Sequence, residues 1–320
     1  MKDLAGMKDA ADRLARATRA ETVVGRPSTV YSHQRLQRNL PGIAAAVAAV
    51  ANRIGRNEPA PNDEPLFIFS AGWRSGSTLL QRLVVSTNRY FIWGEPYHQT
   101  DSVRRLAESL IPFGTGWPPA EYLYRSADDP TELSAQWIAN FYPPVGRLVD
   151  AHRAFVRELL SPPPEHAGLR WGLKEVRLSA EYGLYLQMLF PRSRFLFLVR
   201  DPHAAYRSYS DRPTWFERWP RSQVRTPYAY GRLWRRLAES FLAYEDALGA
   251  TLIRYEDLVP DSEALDQLDR LLGSPVDRSV LEQGIKGSQG DGRRSLSPLE
   301  ATMLDRATHG LASRLGYSVA

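Results

Sequence analysis

An α/β fold, with a mostly parallel central sheet and helices on both faces, is what this sequence predicts, and three observations carry the prediction. Leu66–Phe69 and Phe195–Val199 are unbroken apolar runs of strand length, as found in strands buried on both faces of a parallel sheet. Each run ends in a joint of small or turn-forming residues, Ser70-Ala-Gly72 and Asp201-Pro202, and then gives way to a helix. Arg170–Val176 and Thr251–Leu258 repeat the strand pattern further along. Strands alternating with helices for most of a chain indicate βαβ units.

Taken in order, residues 1–60 form a helical N-terminal extension and residues 61–320 the α/β domain. Leu4, Ala11, Leu14 and Ala15 fall near one helical face, Ile43–Ile54 is Ala-rich behind Pro41-Gly42, and Pro59-Ala-Pro61 closes the segment. Packing on the core, a homodimer contact and a cover for a substrate site are all open to this extension.

Leu66–Leu83 is the segment the rest of the chain serves. After the strand, Gly72-Trp-Arg-Ser-Gly76 turns into a helix marked by Leu79, Leu80, Leu83 and Val84, with Ser75–Thr78 at its start. The first amides of a helix have no intrahelical acceptors, and with the helix dipole behind them they make an anion site. A nucleoside-triphosphate loop has four residues between its glycines, followed by Lys and Ser or Thr. Here three residues separate Gly72 from Gly76, Ser77 stands where the Lys belongs, and the loop's cation is Arg74. The spacing therefore disfavours Mg²⁺-dependent ATP or GTP hydrolysis and retains a phosphate ester as ligand. The architecture expected around such a loop is a P-loop-like three-layer sandwich with helical insertions.

Tyr90–Trp93 is the next strand candidate, and Gly94-Glu95-Pro96 puts a carboxylate just past its end, where open α/β sheets place their ligands. Residues 101–165 read as a helical, proline-jointed insertion rich in aromatic side chains. Arg170–Val176 ends in Lys174, one of only four lysines among 41 basic residues. From local sequence alone Glu95 reads rather as a helix-capping or surface glutamate, and Lys174 equally as a solvated strand end. Tyr182–Phe190 is a helix stopped by Pro191. Asp201-Pro202 then opens a helix on which Ser208 and Arg212 share a side. Residues 228–248 form a further helix whose Arg236, Glu239 and Ser240 read as a solvated face. Helices follow at 262–272, 276–284 and 299–311, and Ile285–Ser295 between them is Gly-rich and cationic, as in a lid over a ligand.

Arg74-Ser-Gly-Ser-Thr-Leu-Leu80 after an apolar strand resembles the 5′-phosphosulfate loop of sulfotransferases that use 3′-phosphoadenosine 5′-phosphosulfate (PAPS). The nearest branch is that of tyrosylprotein and bacterial trehalose-type sulfotransferases. The resemblance spans roughly residues 64–295 and continues in family order. It implies that Ser75, Gly76, Ser77 and Thr78 hold the 5′-phosphate, and that Arg200, Ser208 and Arg212 clamp the 3′-phosphate. It implies Glu95 as catalytic base, Arg74 and Lys174 at the sulfuryl group, and Tyr255 of Tyr-Glu-Asp-Leu beside the nucleotide. Lys286, with Arg293 and Arg294 as alternatives, closes over the nucleotide. His98, three residues past Glu95, is a substitute base. PAPS is the expected donor, adenosine 3′,5′-bisphosphate (PAP) the product, and no metal is called for. The acceptor is a small-molecule hydroxyl: a sugar, phenol or natural product. The competing readings are a small-molecule kinase, for which Asp201 would have to hold Mg²⁺, and a nucleotide-binding module without catalysis.

Composition narrows the classes further. The chain has 320 residues, 43% of them hydrophobic, and no cysteine, so disulfide frameworks and thiolate chemistry are excluded. Net charge is +5, but the arginines are dispersed and form no nucleic-acid motif, so a small polyanion is the expected partner rather than DNA or RNA. The longest apolar stretch, Ile43–Ala51, is too short to span a bilayer. No secretory signal opens the chain, and a cytoplasmic enzyme is expected, with Arg and Ala enrichment pointing to a bacterial source.

Overall fold

The structure is a computed structural model that describes residues 42–54, 63–97, 100–125, 128, 142–211, 224–259, 262–282 and 295–318. Five strands form one sheet: β1 Leu66–Ser70, β2 Tyr90–Gly94, β3 Arg170–Glu175, β4 Arg194–Val199 and β5 Thr251–Arg254. Their spatial order is β2-β3-β1-β4-β5 and every pairing is parallel. β1 lies at the centre, flanked by β3 and β4, so all five of its residues are buried. Its apolar run is thereby explained: neither face nor edge meets water.

The described helices are α1 Ile43–Ile54, α2 Ser77–Ser86, α3 Ser102–Glu108, α4 Val145–Leu160, α5 Ala180–Leu189, α6 Pro202–Ser210, α7 Pro227–Leu248, α8 Glu263–Leu272, α9 Pro298–Thr308 and the short α10 Leu311–Arg314. Alternation along each strand sorts the side chains between two cores. Phe67, Phe69, Phe195, Phe197 and Val199 face the larger one, with residues of α1, α4, α5 and α7. Leu66, Ile68, Leu196 and Leu198 face the smaller one, with α2 and α8. The result is a three-layer α/β sandwich. Phe197 and Phe241 of α7 stack at 4.5 Å with their planes 13° apart, joining the sheet to its longest helix.

Several elements differ from the sequence reading. The expected helix at 276–284 is a single 3₁₀ turn, Arg278–Leu281, within the described residues. Pro275 and Asp277 delay it, and Asp277 accepts the Ser279 amide as a cap. The last strand stops at Arg254, because Tyr255–Asp257 turns into a 3₁₀ helix. The face of α7 assigned to solvent is divided: Arg236 and Glu239 are exposed, but Ser240 is buried. Its hydroxyl accepts the Ala180 amide at 2.9 Å, capping α5 from another element. The α1 residues Ile43, Ala46, Val47 and Val50 are buried in the larger core. The rest of residues 1–60 lies outside the described residues. None of the described helices is long and apolar enough to cross a membrane.

Candidate active site

β1 delivers the loop Ala71–Gly76 to the carboxyl edge of the sheet. Gly72, Arg74 and Gly76 all have positive φ, at 87°, 63° and 93°. The two glycines take that conformation without a Cβ penalty, whereas Arg74 is held there by its surroundings. Three successive loop carbonyls are pinned. The Ser75 hydroxyl donates to Gly72 O at 2.9 Å, the Tyr230 hydroxyl to Trp73 O at 2.5 Å, and Arg200 Nη1 to Arg74 O at 3.0 Å. Those bonds fix the orientation of the three peptide planes. Gly76 is the N-cap of α2, and no side chain caps that helix. The Ser77 and Thr78 amides therefore have no intrahelical acceptor and sit at the positive end of the helix dipole.

Around this loop the fold gathers residues that are remote in sequence. Arg74 Nε donates to Ser208 Oγ of α6 at 2.9 Å. The Arg200 guanidinium lies 4.2 Å from the centre of the Tyr255 ring. Tyr255 in turn covers Gly76 so closely that a Cβ there would stand 2.0 Å from its Cδ2. Arg200 Nε is buried and has no hydrogen-bond partner among the described residues. An unpaired buried guanidinium N–H is costly, and an anionic ligand beside the loop would satisfy it.

Gly76→Ala is accordingly expected to disturb both loop and ring. The substitution forces a side chain into the left-handed region, at a cost of about 1–3 kcal/mol, and drives it into Tyr255. Melting temperature should fall, and Tyr255→Ala in the same chain should recover part but not all of the loss, since the backbone strain stays. Additive losses in the double variant would show that ring and glycine do not meet.

The second half of the site lies at the ends of β2 and β3. Gly94 is in register with Lys174, and the Glu95 amide continues the ladder with a 2.9 Å bond to Lys174 O. Glu95 then turns away with φ at 48°. Its Oε1 meets Lys174 Nζ at 2.5 Å, with the two side chains only 16% and 8% exposed. Main chain and side chain thus both bind Glu95 to the same lysine. Gln81 of α2 ties β2 to the loop helix by donating to Ile92 O at 2.7 Å.

A further ion network supports this strand end, and the sequence reading missed it. Glu175, next to Lys174, accepts from the Val176 amide and from Arg177 Nε and Nη2, and Arg177 Nη1 reaches Asp101 at 3.0 Å. Burial pushes the Glu175 carboxyl up, against the pull of Arg177, and the nearby Glu95 carboxylate pushes the same way. Arg177 gave no signal because arginine is so common in this chain. Trp73 was also missed. It stacks on Tyr209 at 5.6 Å, and Tyr209 packs against Tyr230, which holds the loop carbonyl. A tryptophan between the two loop glycines was the available signal.

Asp201, the carboxylate on which the kinase reading depended, is engaged otherwise: its Oδ1 accepts the Ala204 amide at 2.7 Å as the cap of α6. Its own amide donates to Glu256, which also accepts from the Tyr317 hydroxyl. Arg212, Lys286, Arg293, Arg294 and His98 lie outside the described residues.

With the loop, the strand-end pair and the Arg200–Tyr255 stack in one place, the comparison with known families is decisive on one point. Residues 65–277 match the model of the Sulfotransferase family. The chain belongs to the sulfotransferase family. The matched span includes the loop, Glu95, Lys174, Arg200, Ser208, Arg212 and Tyr255, and stops short of Lys286. No curated protein sequence matches this sulfotransferase. Among solved structures it is similar to the sulfotransferase domain of the Synechococcus PCC 7002 olefin synthase, at 18% identity over 83% of this chain and 100% of that one, with a TM-score of 0.39. It is similar to mouse sulfotransferase SULT7A1 complexed with PAP, at 12% identity over 85% and 93%, with a TM-score of 0.41. Sulfotransferase STF9 from Mycobacterium avium shares 16% identity over 90% and 82%, with a TM-score of 0.43.

Proposed function

We propose that this sulfotransferase moves a sulfuryl group from PAPS to a hydroxyl of a small-molecule or carbohydrate acceptor, with Glu95 as general base and without a metal. The observation that carries the reading is the Lys174–Glu95 pair, held nearly out of water at the strand ends beside an uncapped, glycine-started helix. A base and a cation in one place are what sulfuryl transfer needs: one accepts the proton, the other meets the charge on the departing oxygen.

The residues present fit the donor. The Ser77 and Thr78 amides and the Ser75–Thr78 segment suit a 5′-phosphate at the helix N-terminus. The orphaned Arg200 Nε and the Ser208 hydroxyl suit the 3′-phosphate, with Arg212 as third member, and the Tyr255 ring suits contact with the nucleotide. PAPS supplies a sulfuryl group activated by a phosphate leaving group. Glu95 takes the proton of the acceptor hydroxyl as the new S–O bond forms. Arg74 and Lys174 stabilise the negative charge that grows on the bridging oxygen as the old S–O bond breaks, and preorganised donors are most effective where charge develops. Lys286 closing over the nucleotide, a homodimer and a cytoplasmic setting belong to the same proposal.

The test is a thermal-shift panel. PAP should stabilise the protein far more than adenosine 5′-phosphate, and EDTA should change nothing. At a hundredfold saturation the stabilisation is about 2.7 kcal/mol, a readily measured shift. Equal shifts from the two nucleotides would remove the 3′-phosphate clamp, and a shift from ATP with Mg²⁺ alone would return the kinase reading.

A further inference from the structure

A cavity of about 880 Å³ opens against the loop, in the size range of small-molecule sites. Its walls come from Trp73, from Arg177 past the end of β3, from α3, from the first turns of α7, and from α9. Arg74, Ser75–Thr78, Arg200, Ser208 and Tyr255 take no part in it, so it is distinct from the donor residues. It nevertheless touches both halves of the site: Trp73 precedes Arg74 in the loop, and Arg177 follows Lys174 by three residues.

The charge on these walls is one-sided. Among the described residues they carry Arg104, Arg177, Arg232, Arg235, Arg236 and Arg306 against one carboxylate, Glu239. Half of these cations are already answered. Arg177 is paired with Glu175 and Asp101, Arg104 approaches Glu108 at 3.8 Å, and Arg235 meets Glu239 at 2.7 Å. Arg232, Arg236 and Arg306 have no carboxylate within 4.0 Å among the described residues. Arg232 and Arg236 are one turn apart on α7, where like charges oppose one another. Gly231 brings the third close: α9 packs so tightly there that a Cβ on Gly231 would stand 2.7 Å from Ala307 Cβ. Arg306, next to Ala307, lines the same cavity as Arg232. Three cations lining one cavity with no carboxylate partner among the described residues make a candidate anion site.

We propose that this cavity is the acceptor site, and that the acceptor carries an acidic group (a carboxylate, phosphate or sulfate) held by Arg232, Arg236 and Arg306. The proposal rests on the sulfuryl-transfer reading for the word acceptor, but not for the anion site itself. The acid anchors one end of the acceptor against α7 and α9, leaving its hydroxyl free to be presented past Trp73 and Arg177 to the Glu95–Lys174 pair.

The experiment has two arms. PAP-saturated protein is titrated with citrate by calorimetry at constant ionic strength. The wild type should bind it, and the R232Q/R236Q/R306Q variant should bind it at least tenfold more weakly, with PAP affinity equal in both. All three side chains are exposed, and a single R232E substitution gives the same comparison if the triple variant misfolds. In the second arm, PAPS is supplied with 4-hydroxyphenylacetate or its uncharged amide. The wild-type kcat/KM should favour the acid at least tenfold, and in the variant that ratio should collapse toward one. Absent citrate binding, citrate affinity unchanged in the variants, or equal use of the two phenols overturns the proposal. If neither phenol is turned over, the citrate arm decides alone. If PAP does not bind, the same citrate titration is run on the PAP-free protein, and binding through these arginines there would sink the donor reading and leave the anion site standing.

Discussion

Glu95→Gln is expected to lower turnover by about 10²–10⁴, the usual contribution of a positioned general base, while PAP affinity stays equal or improves. The substitution keeps the shape of the side chain and its capacity to meet Lys174, and removes only proton affinity and charge. Because Lys174 Nζ sits on Glu95 Oε1 in a largely dry corner, loss of the carboxylate frees a cation and makes the site more favourable for an anionic nucleotide. Lys174→Ala should also lower turnover but differ on the donor, which is loosened because a charge that meets the phosphosulfate is gone. The measurement needs an acceptor whose hydroxyl has an alcohol-like pKa, because an acidic phenol loses its proton with little help. Near wild-type turnover of such an alcohol by Glu95→Gln would pass the role of base to another group, and His98→Ala would be the next variant to assay.

Glu175→Ala should cost about 3–5 kcal/mol of folding stability, the range for removing one partner of a buried ion pair. Glu175 and Arg177 are both buried, and the substitution strips Arg177 of both its bonds to Glu175 while its bond to Asp101 stays. A drop in the urea midpoint without a change in slope would report the loss as one of stability. Burial already works against the Glu175 charge, so the paired state is not itself a large source of stability. Replacing both partners, as in Glu175→Leu with Arg177→Met, should therefore cost less than Glu175→Ala alone. If the double variant is the less stable of the two, the pair contributes net stability and this account of it fails. Wild-type stability in Glu175→Ala would mean that water enters and rescues Arg177.

The sheet was legible because burial on two faces leaves a signature in a single strand. Leu66–Phe69 and Phe195–Val199 are apolar throughout because both faces of their strands are buried, and Gly72 and Gly76 take positive φ without a Cβ penalty. The pairing of Glu95 with Lys174 was named in advance only as two parts of one family pattern. Their contact is made by the register that sets Gly94 opposite Lys174.

Local chemistry in the sequence thus determined the strand–loop–helix unit, the anion-seeking character of its amides and the sulfotransferase family to which the chain belongs, because each depends on neighbours within a few residues. Tertiary structure alone decided that Tyr230 and Arg200 pin the loop carbonyls, that Tyr255 covers Gly76, and that Ser240 caps α5. It also decided that Arg232 and Arg306 share one cavity. These groups are tens to hundreds of residues apart in sequence, and no periodicity links them. They meet only because a parallel sheet sends every strand's carboxyl end to the same edge, and because close packing at Gly231 admits α9 against α7.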